Sequence, residues 1–340
     1  MKILFAGGGS LGPVTPLLAT AHAFKKLDPS ASFVWAGTPE GPERQLVEAE
    51  GIPFYPIPVA KFPRYPSVRW ITFPFDVLRA ARAAKQILEK EKPAAIVSVG
   101  GFTAVPVIRA AAKLGIPCFI HQLDVKPTWS NRAVEKWCKS RTASFKIPGY
   151  ELLPTPTRFQ LDDLGVIAPK KRPLVLVMGG GQGAQALNQA MAAKLDRWLQ
   201  KTDIIHIAGK GKTAGLEDCE GYSVHELLNV DGMKRAYAAA DLIITRAGIG
   251  SLSEIASLKK ASIIVPIPSS HQEANAIAFN SAKAGLYIKQ DQEEFADILF
   301  QQAMKLLEDA DRRAQMGEKA HAFFPTDDGT ALAEKIKNAV

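Results

Sequence analysis

Twice in this chain a run of aliphatic residues stops at a cluster of glycines and gives way to an alanine- and leucine-rich stretch. Lys2-Ile3-Leu4-Phe5-Ala6 leads into Gly7-Gly8-Gly9-Ser10-Leu11-Gly12, and Leu174-Val175-Leu176-Val177-Met178 leads into Gly179-Gly180-Gly181-Gln182-Gly183. Apolar runs of this kind suit strands buried on both faces, as in parallel sheets. A turn without side chains lets the backbone N–H groups at the start of the next helix face an anion, and the helix dipole favours negative charge there. The pattern predicts two Rossmann-type halves, each with a phosphate site, and a cleft between them.

The rest of the chain keeps the same rhythm. Strand candidates recur at 32–36, 94–99 and 116–120, then at 204–207, 241–245 and 262–265, with helical patterns such as 77–90 and 105–114 between them. That alternation means βαβ units. At 340 residues the chain is longer than one core usually fills. Residues 148–173 carry Pro148, Pro154, Pro156, Pro169 and Pro173, which suits a connection near residue 165. The expected domains are 1–164 and 165–322. A final segment, 323–340, begins with the capping stretch Pro325-Thr326-Asp327-Asp328 and forms a helix that could pack back on the first domain.

Bulk properties exclude several classes. No apolar run is long enough to span a bilayer, and the N-terminus enters a strand at once without a charged leader, which predicts a cytoplasmic protein. Cys118, Cys138 and Cys219 have no C-x-x-C spacing, so neither a disulfide framework nor a zinc site is expected. The formal net charge of +8 favours an acidic partner. Without an RNA-recognition signature, finger spacing or a long basic block, that partner is a phosphate-bearing molecule or an anionic membrane, not nucleic acid. Asp309-Ala310-Asp311 is formally a D-x-D, but beside Arg312 and Arg313 it reads as a solvated helix face, so no metal and no cofactor are expected.

The most specific segment is Arg246-Ala247-Gly248-Ile249-Gly250-Ser251-Leu252-Ser253-Glu254. Backbone amides and Ser251 can hold a phosphate there while Glu254, a turn further on, accepts from the two hydroxyls of a ribose. The same spacing fits a capping box of Ser251 and Glu254, and both readings stay open. After the next strand comes Pro266-Ile267-Pro268-Ser269-Ser270-His271-Gln272-Glu273-Ala274-Asn275-Ala276, in which Gln272 and Asn275 lie a helical turn apart. They either hydrogen-bond sugar hydroxyls or are solvated helix-start residues.

These residues resemble the MurG family. The segments Gly179 to Asn188, Arg246 to Glu254 and His271-Gln272-x-x-Asn275-Ala276 are similar to its C-domain signatures. Gly8 to Pro16, Gly100-Gly101-Phe102 and His121-Gln122-Leu123-Asp124 occupy its N-domain motifs, with Asn131 and Arg158 at matching positions. The resemblance implies the GT-B fold, α/β, with two Rossmann-like domains whose parallel sheets face across a cleft. It implies an inverting hexosyltransferase that moves N-acetylglucosamine from UDP-N-acetylglucosamine to undecaprenyl-pyrophosphoryl-N-acetylmuramoyl pentapeptide. For the donor it implies Gly181, Gln182, Asn188, Arg158, Asn131, Ile249, Gly250, Ser251, Glu254, Gln272 and Asn275. For the acceptor pyrophosphate it implies Gly9, Ser10, Gly12, Gly100 and Gly101.

The departures matter as much. The family's first loop has a histidine where this chain has Pro13, and its H-E-Q-N stretch becomes His121-Gln122-Leu123-Asp124. Gln122 cannot take a proton and Leu123 cannot hydrogen-bond. Glycosyl transfer with inversion needs a base for the acceptor hydroxyl. Asp124 is the expected replacement and His121 the next choice, against packing or capping roles for both. Alternatives are a transferase for another lipid acceptor such as a diacylglycerol, a non-catalytic nucleotide-sugar sensor, or an epimerase.

The stretch from Lys61 to Phe75 mixes basic and aromatic residues, including Trp70, Phe73 and Phe75, and leads to Arg79, Arg82 and Lys85. Rings at headgroup level and cations against anionic lipid would make this a membrane face, extended by Trp129, Arg132, Lys136, Trp137 and Lys139. A lipid-linked acceptor favours that over core packing of the rings. The expected location is the cytoplasmic face of the cell membrane, as a peripheral protein.

Overall fold

A computed structural model describes the chain except residues 10, 11, 42, 59–68, 166–169, 181 and 182, and except the side chains of residues 69–72. The chain forms two compact units, Met1–Arg158 with Asp327–Val340, and Phe159–Thr326.

The first unit contains β1 (Lys2–Ala6), α1 (Val14–Leu27), β2 (Ser32–Gly37), α2 (Glu43–Ala49), β3 (Phe54–Pro56), α3 (Arg69–Glu91), β4 (Ala95–Ser98), α4 (Ala104–Lys113), β5 (Cys118–Gln122), α5 (Trp129–Val134), β6 (Ser140–Ala143), β7 (Glu151–Leu152) and β8 (Thr155–Pro156). Its seven-stranded sheet runs β3-β2-β1-β4-β5-β6-β7, and each neighbouring pair is parallel. Leu4, Ala6, Val34, Ile96 and Ile120 point from it into a core closed by α3 and α4. Burial of both sheet faces explains the unbroken apolar runs.

The second unit contains β9 (Leu174–Met178), α6 (Gln185–Ala193), α7 (Leu195–Leu199), β10 (Asp203–Ile207), β11 (Tyr222–His225), α8 (Val230–Ala239), β12 (Leu242–Thr245), α9 (Ile249–Ser257), β13 (Ser262–Ile264), α10 (His271–Ser281), β14 (Leu286–Tyr287), α11 (Phe295–Leu307) and α12 (Ala310–Phe323). Its six-stranded parallel sheet runs β11-β10-β9-β12-β13-β14. Two cores lie on its faces, one around Trp198, Phe300 and Ile263, the other around Tyr237, Leu176 and Ile243.

Both sheets reverse their winding direction once, between β1 and β4 and between β9 and β12. Loops leaving strands on either side of such a reversal diverge and open a crevice at the strands' C-terminal ends. The glycine turns after β1 and β9 and the segments at Gly100 and Gly248 are those loops.

The units divide between Arg158 and Phe159, a few residues ahead of the expected boundary, because Phe159 and Leu164 pack with Tyr237 in the second unit. After β15 (Thr326–Asp327), helix α13 (Thr330–Lys337) belongs to the first unit and lies against α1. Gly329 makes the approach possible: at φ 97°, a Cβ there would stand 2.7 Å from the Thr20 amide nitrogen.

Candidate active site

In the second unit the site is built at the β9/β12 reversal. Helix α9 begins at Ile249, with Gly248 in extended geometry as its N-cap and no side-chain cap. Ser251 therefore sits inside the first turn and Glu254 in the second, so the capping-box alternative does not hold. The first-turn amides of Ile249, Gly250 and Ser251 precede the intrahelical ladder, and the turn carries no acidic residue. On a nine-residue helix this is the geometry that suits an anion. Glu254 is buried, with Oε2 accepting from the Tyr237 hydroxyl at 2.7 Å.

Helix α10 closes the other side. Ser270 caps it, and the Gln272 Oε1 atom accepts from the Ile267 amide at 3.2 Å. The Gln272 Nε2 atom faces Gly248, 4.0 Å from where a Cβ would stand. Asn275 is wholly buried and its Nδ2 donates to the Ala247 carbonyl at 3.2 Å. The sequence expected Asn275 at the sugar; the structure uses it to latch α10 to the loop before α9.

Arg246, to which the sequence assigned no role, is almost fully buried at the end of β12. Its Nη1 donates to the carbonyls of Val265 and Pro266, both at 3.1 Å, and to Gln290 Oε1 at 2.6 Å. All these acceptors are neutral, so among the described residues no carboxylate pairs with its charge, and burial lowers its pKa from the ordinary guanidinium value.

Asn188, also expected at the donor, is engaged within the unit. Its Nδ2 donates to the carbonyls of Ala208 and Lys212, at 3.1 and 3.2 Å, and its Oδ1 meets His206 Nε2 at 3.0 Å. One end of the carboxamide holds the loop after β10 and the other holds His206 on β10 itself. Since Oδ1 accepts, His206 carries its proton on Nε2 and receives the Tyr222 hydroxyl at Nδ1, 2.7 Å away. Gly181 and Gln182 lie outside the described residues. The adjoining Gly183 has φ 68°, and a Cβ there would stand 2.1 Å from the Ala208 carbonyl oxygen.

In the first unit the glycine loops are tied down from behind. Glu43, which the sequence reading passed over, is wholly buried; its Oε1 accepts from the Thr38 and Gly9 amides at 2.7 and 3.1 Å and from the Thr38 hydroxyl. A Cβ on Gly8 would stand 2.1 Å from that oxygen. Gly100 donates to Ser98 Oγ at 3.0 Å and Gly101 to Ser130 Oγ at 3.2 Å. The amides expected from Gly9, Gly100 and Gly101 for a pyrophosphate are thus already engaged, and these glycines instead let the two loops approach. The start of α1, after Gly12 and Pro13, has no side-chain cap, and its first turn carries the amides of Val14 and Thr15 while Pro16 has none. Ser10 lies outside the described residues.

At the end of β5 the two base candidates separate. His121 is wholly buried, with Nδ1 2.9 Å from Thr142 Oγ1 and Nε2 3.0 Å from Ser144 Oγ, and burial pushes its pKa down to about 3. It packs the strand end and does not reach a substrate. Gln122 staples the following loop: its Nε2 donates to the carbonyls of Asp124 and Lys126, both at 3.1 Å. Its Oε1 accepts from Asn131 Nδ2 at 2.6 Å and from the Thr128 amide at 3.3 Å. Asn131, expected at the donor, is buried behind Gly100 with its Nδ2 committed to Gln122. Asp124 stands half-buried on the stapled loop, and Arg158 half-buried at the end of the unit.

Helices α3, α4 and α5 pack in succession, each starting at the C-terminal edge of the sheet. Phe75 and Leu78 in the N-terminal half of α3, Phe102 just before α4 and Trp129 at the start of α5 are exposed, the last at 86%. Phe73 is half-buried, the Trp70 side chain lies outside the described residues, and Trp137 is sandwiched beneath the cations of Lys136 and Arg109. Among the described residues no helix is long and apolar enough to cross a membrane, and no acidic, histidine or cysteine cluster could hold a metal.

Residues 3–142 match the glycosyltransferase family 28 N-terminal domain and residues 174–330 the family 28 C-terminal domain. Two parallel-sheet units with an uncapped helix at the reversal of the second define a GT-B glycosyltransferase. A Nocardioides protein named UDP-N-acetylglucosamine--N-acetylmuramyl-(pentapeptide) pyrophosphoryl-undecaprenol N-acetylglucosamine transferase is 34% identical, over 99% of this chain and 97% of its own. A Clostridium botulinum protein of the same name is 33% identical over 88% and 89%. The crystal structure of Acinetobacter baumannii MurG superposes with a TM-score of 0.76 at 26% identity, covering 99% of both chains. The chain belongs to the MurG family.

Proposed function

We propose that this protein transfers N-acetylglucosamine from UDP-N-acetylglucosamine to undecaprenyl-pyrophosphoryl-N-acetylmuramoyl pentapeptide, with inversion at the anomeric carbon. The observation that carries this reading is the uncapped N-terminus of α9 at the β9/β12 reversal, with Glu254 buried one turn behind it. The diphosphate rests on the amides of Ile249, Gly250 and Ser251, and Glu254, oriented by Tyr237, accepts from the ribose hydroxyls. Gln272 faces the sugar side of the same loop. As the glycosidic bond breaks, negative charge grows on the departing diphosphate, and the α9 dipole with the fixed charge of Arg246 stabilises it.

The first unit takes the acceptor, with its pyrophosphate at the start of α1. Asp124 accepts the proton of the attacking hydroxyl. Phe75, Leu78, Phe102 and Trp129 insert at headgroup level and hold the protein at the cytoplasmic face of the membrane, where the lipid-linked acceptor resides. The test is transfer of radiolabelled N-acetylglucosamine to a short-chain analogue of the lipid-linked muramoyl pentapeptide, with a no-acceptor control. Acceptor-dependent product with inverted configuration is expected. Donor binding without product would exclude this acceptor.

A further inference from the structure

An open cleft of about 500 Å³ lies beside the Asp124 loop, at the C-terminal ends of β5 and β6. Val125 and Pro127 form one wall, Arg132 of α5 with Glu135 in the turn that follows it a second, and Lys146 with Tyr150 a third. Arg132 and Lys146 have no carboxylate partner among the described residues, and Tyr150 donates its hydroxyl to Glu135 Oε2 at 2.7 Å. The cleft thus presents two positive groups and one oriented carboxylate over a partly apolar floor. Such a lining is complementary to a short peptide bearing carboxylates and an amine, and it is a poor match for a neutral sugar or an acyl chain.

We infer that this cleft is the subsite for the acceptor's peptide, with Arg132 and Lys146 pairing to its carboxylates and Glu135 to its amine. The inference rests on the proposed function, in which Asp124 meets the acceptor hydroxyl. Val125 follows Asp124 directly, so the cleft begins within a residue's length of the reacting sugar. A five-residue peptide reaches about 17 Å when extended, ample to enter it from that sugar. The wall between sugar and cleft is held rigid: Gln122 fixes both carbonyls of the turn, Asp124 and Lys126, and is itself pinned by Asn131 and Thr128. A substrate spanning the loop would therefore be read at two points with a fixed separation.

The experiment compares two acceptors, the short-chain lipid-linked muramoyl pentapeptide and the same molecule without its peptide, on wild type and on Arg132→Ala/Lys146→Ala. The expected result is a KM for the pentapeptide acceptor raised about tenfold in the double variant. The KM values for UDP-N-acetylglucosamine and for the peptide-free acceptor should stay within about twofold. An equal rise on both acceptors would assign these cations to pyrophosphate or lipid headgroups and overturn the inference, as would no rise on either. If wild type transfers to neither acceptor, the functional reading itself fails, which is a different outcome from an unshifted variant of an active enzyme. Should the double variant be poorly folded, Lys146→Gln alone supplies the same comparison.

Discussion

At the residue scale, the proposed chemistry rests on two carboxylates, Asp124 and Glu254. Asp124→Asn should lower turnover about 100-fold with donor affinity unchanged, measured as kcat against the donor Kd; near-normal turnover would move the base elsewhere. Glu254→Ala should weaken UDP-N-acetylglucosamine binding by about 1–3 kcal/mol in calorimetry, because charge-assisted hydrogen bonds to the ribose are lost. An unchanged Kd would remove Glu254 from the donor site. The buried histidines give a stability signature. Burial holds His121 down to about 3 and His206 to about 4, whereas the unfolded chain protonates both near 6.5. Between those values the unfolded chain binds more protons, so their contribution is complete above about pH 6.5 and declines as pH falls toward 4. The melting temperature should drop across that window, and His121→Gln should flatten the slope.

At the element scale, the proposed function rests on helix starts. An uncapped first turn such as that of α9 leaves its amides for a ligand, whereas a side-chain cap as at Ser270 uses one of them. In the first unit, exposed apolar residues lie in the N-terminal half of α3, just before α4 and at the start of α5. Replacing Phe75, Phe102 and Trp129 with serine should abolish flotation on anionic liposomes while leaving the melting temperature within about 2 °C, since each side chain is at least half exposed. Undiminished flotation would rule out this edge as the membrane face. The sequence named Phe75 and Trp129 for this face. Phe102 joins them only because α4 packs between α3 and α5, and Trp137, also named, is covered by cations.

At the scale of the whole molecule, the chain's last residues complete its first unit. Helix α13 covers α1, Lys139 Nζ donates to the Ala339 carbonyl at 2.6 Å, and Lys337 Nζ to that of Leu27 at 2.9 Å. Deleting residues 327–340 should expose the apolar face of α1 and lower the melting temperature by several degrees, with dye binding reporting the uncovered surface. An unaltered melting curve would show that α13 adds nothing to the unit. What the sequence determined by itself was the pair of parallel-sheet units, their glycine turns and the segment that begins α9, because strand burial and turn geometry are encoded within a few consecutive residues. What tertiary structure alone decided was the duty of each polar side chain. Glu43, Asn188, Asn275, Gln122 and His121 are all polar residues near strand ends, and nothing local separates them from ligands. Their partners lie on other elements, up to 34 residues away for Glu43 and Gly9, and a buried polar group is held by whichever donor or acceptor the packing brings to it.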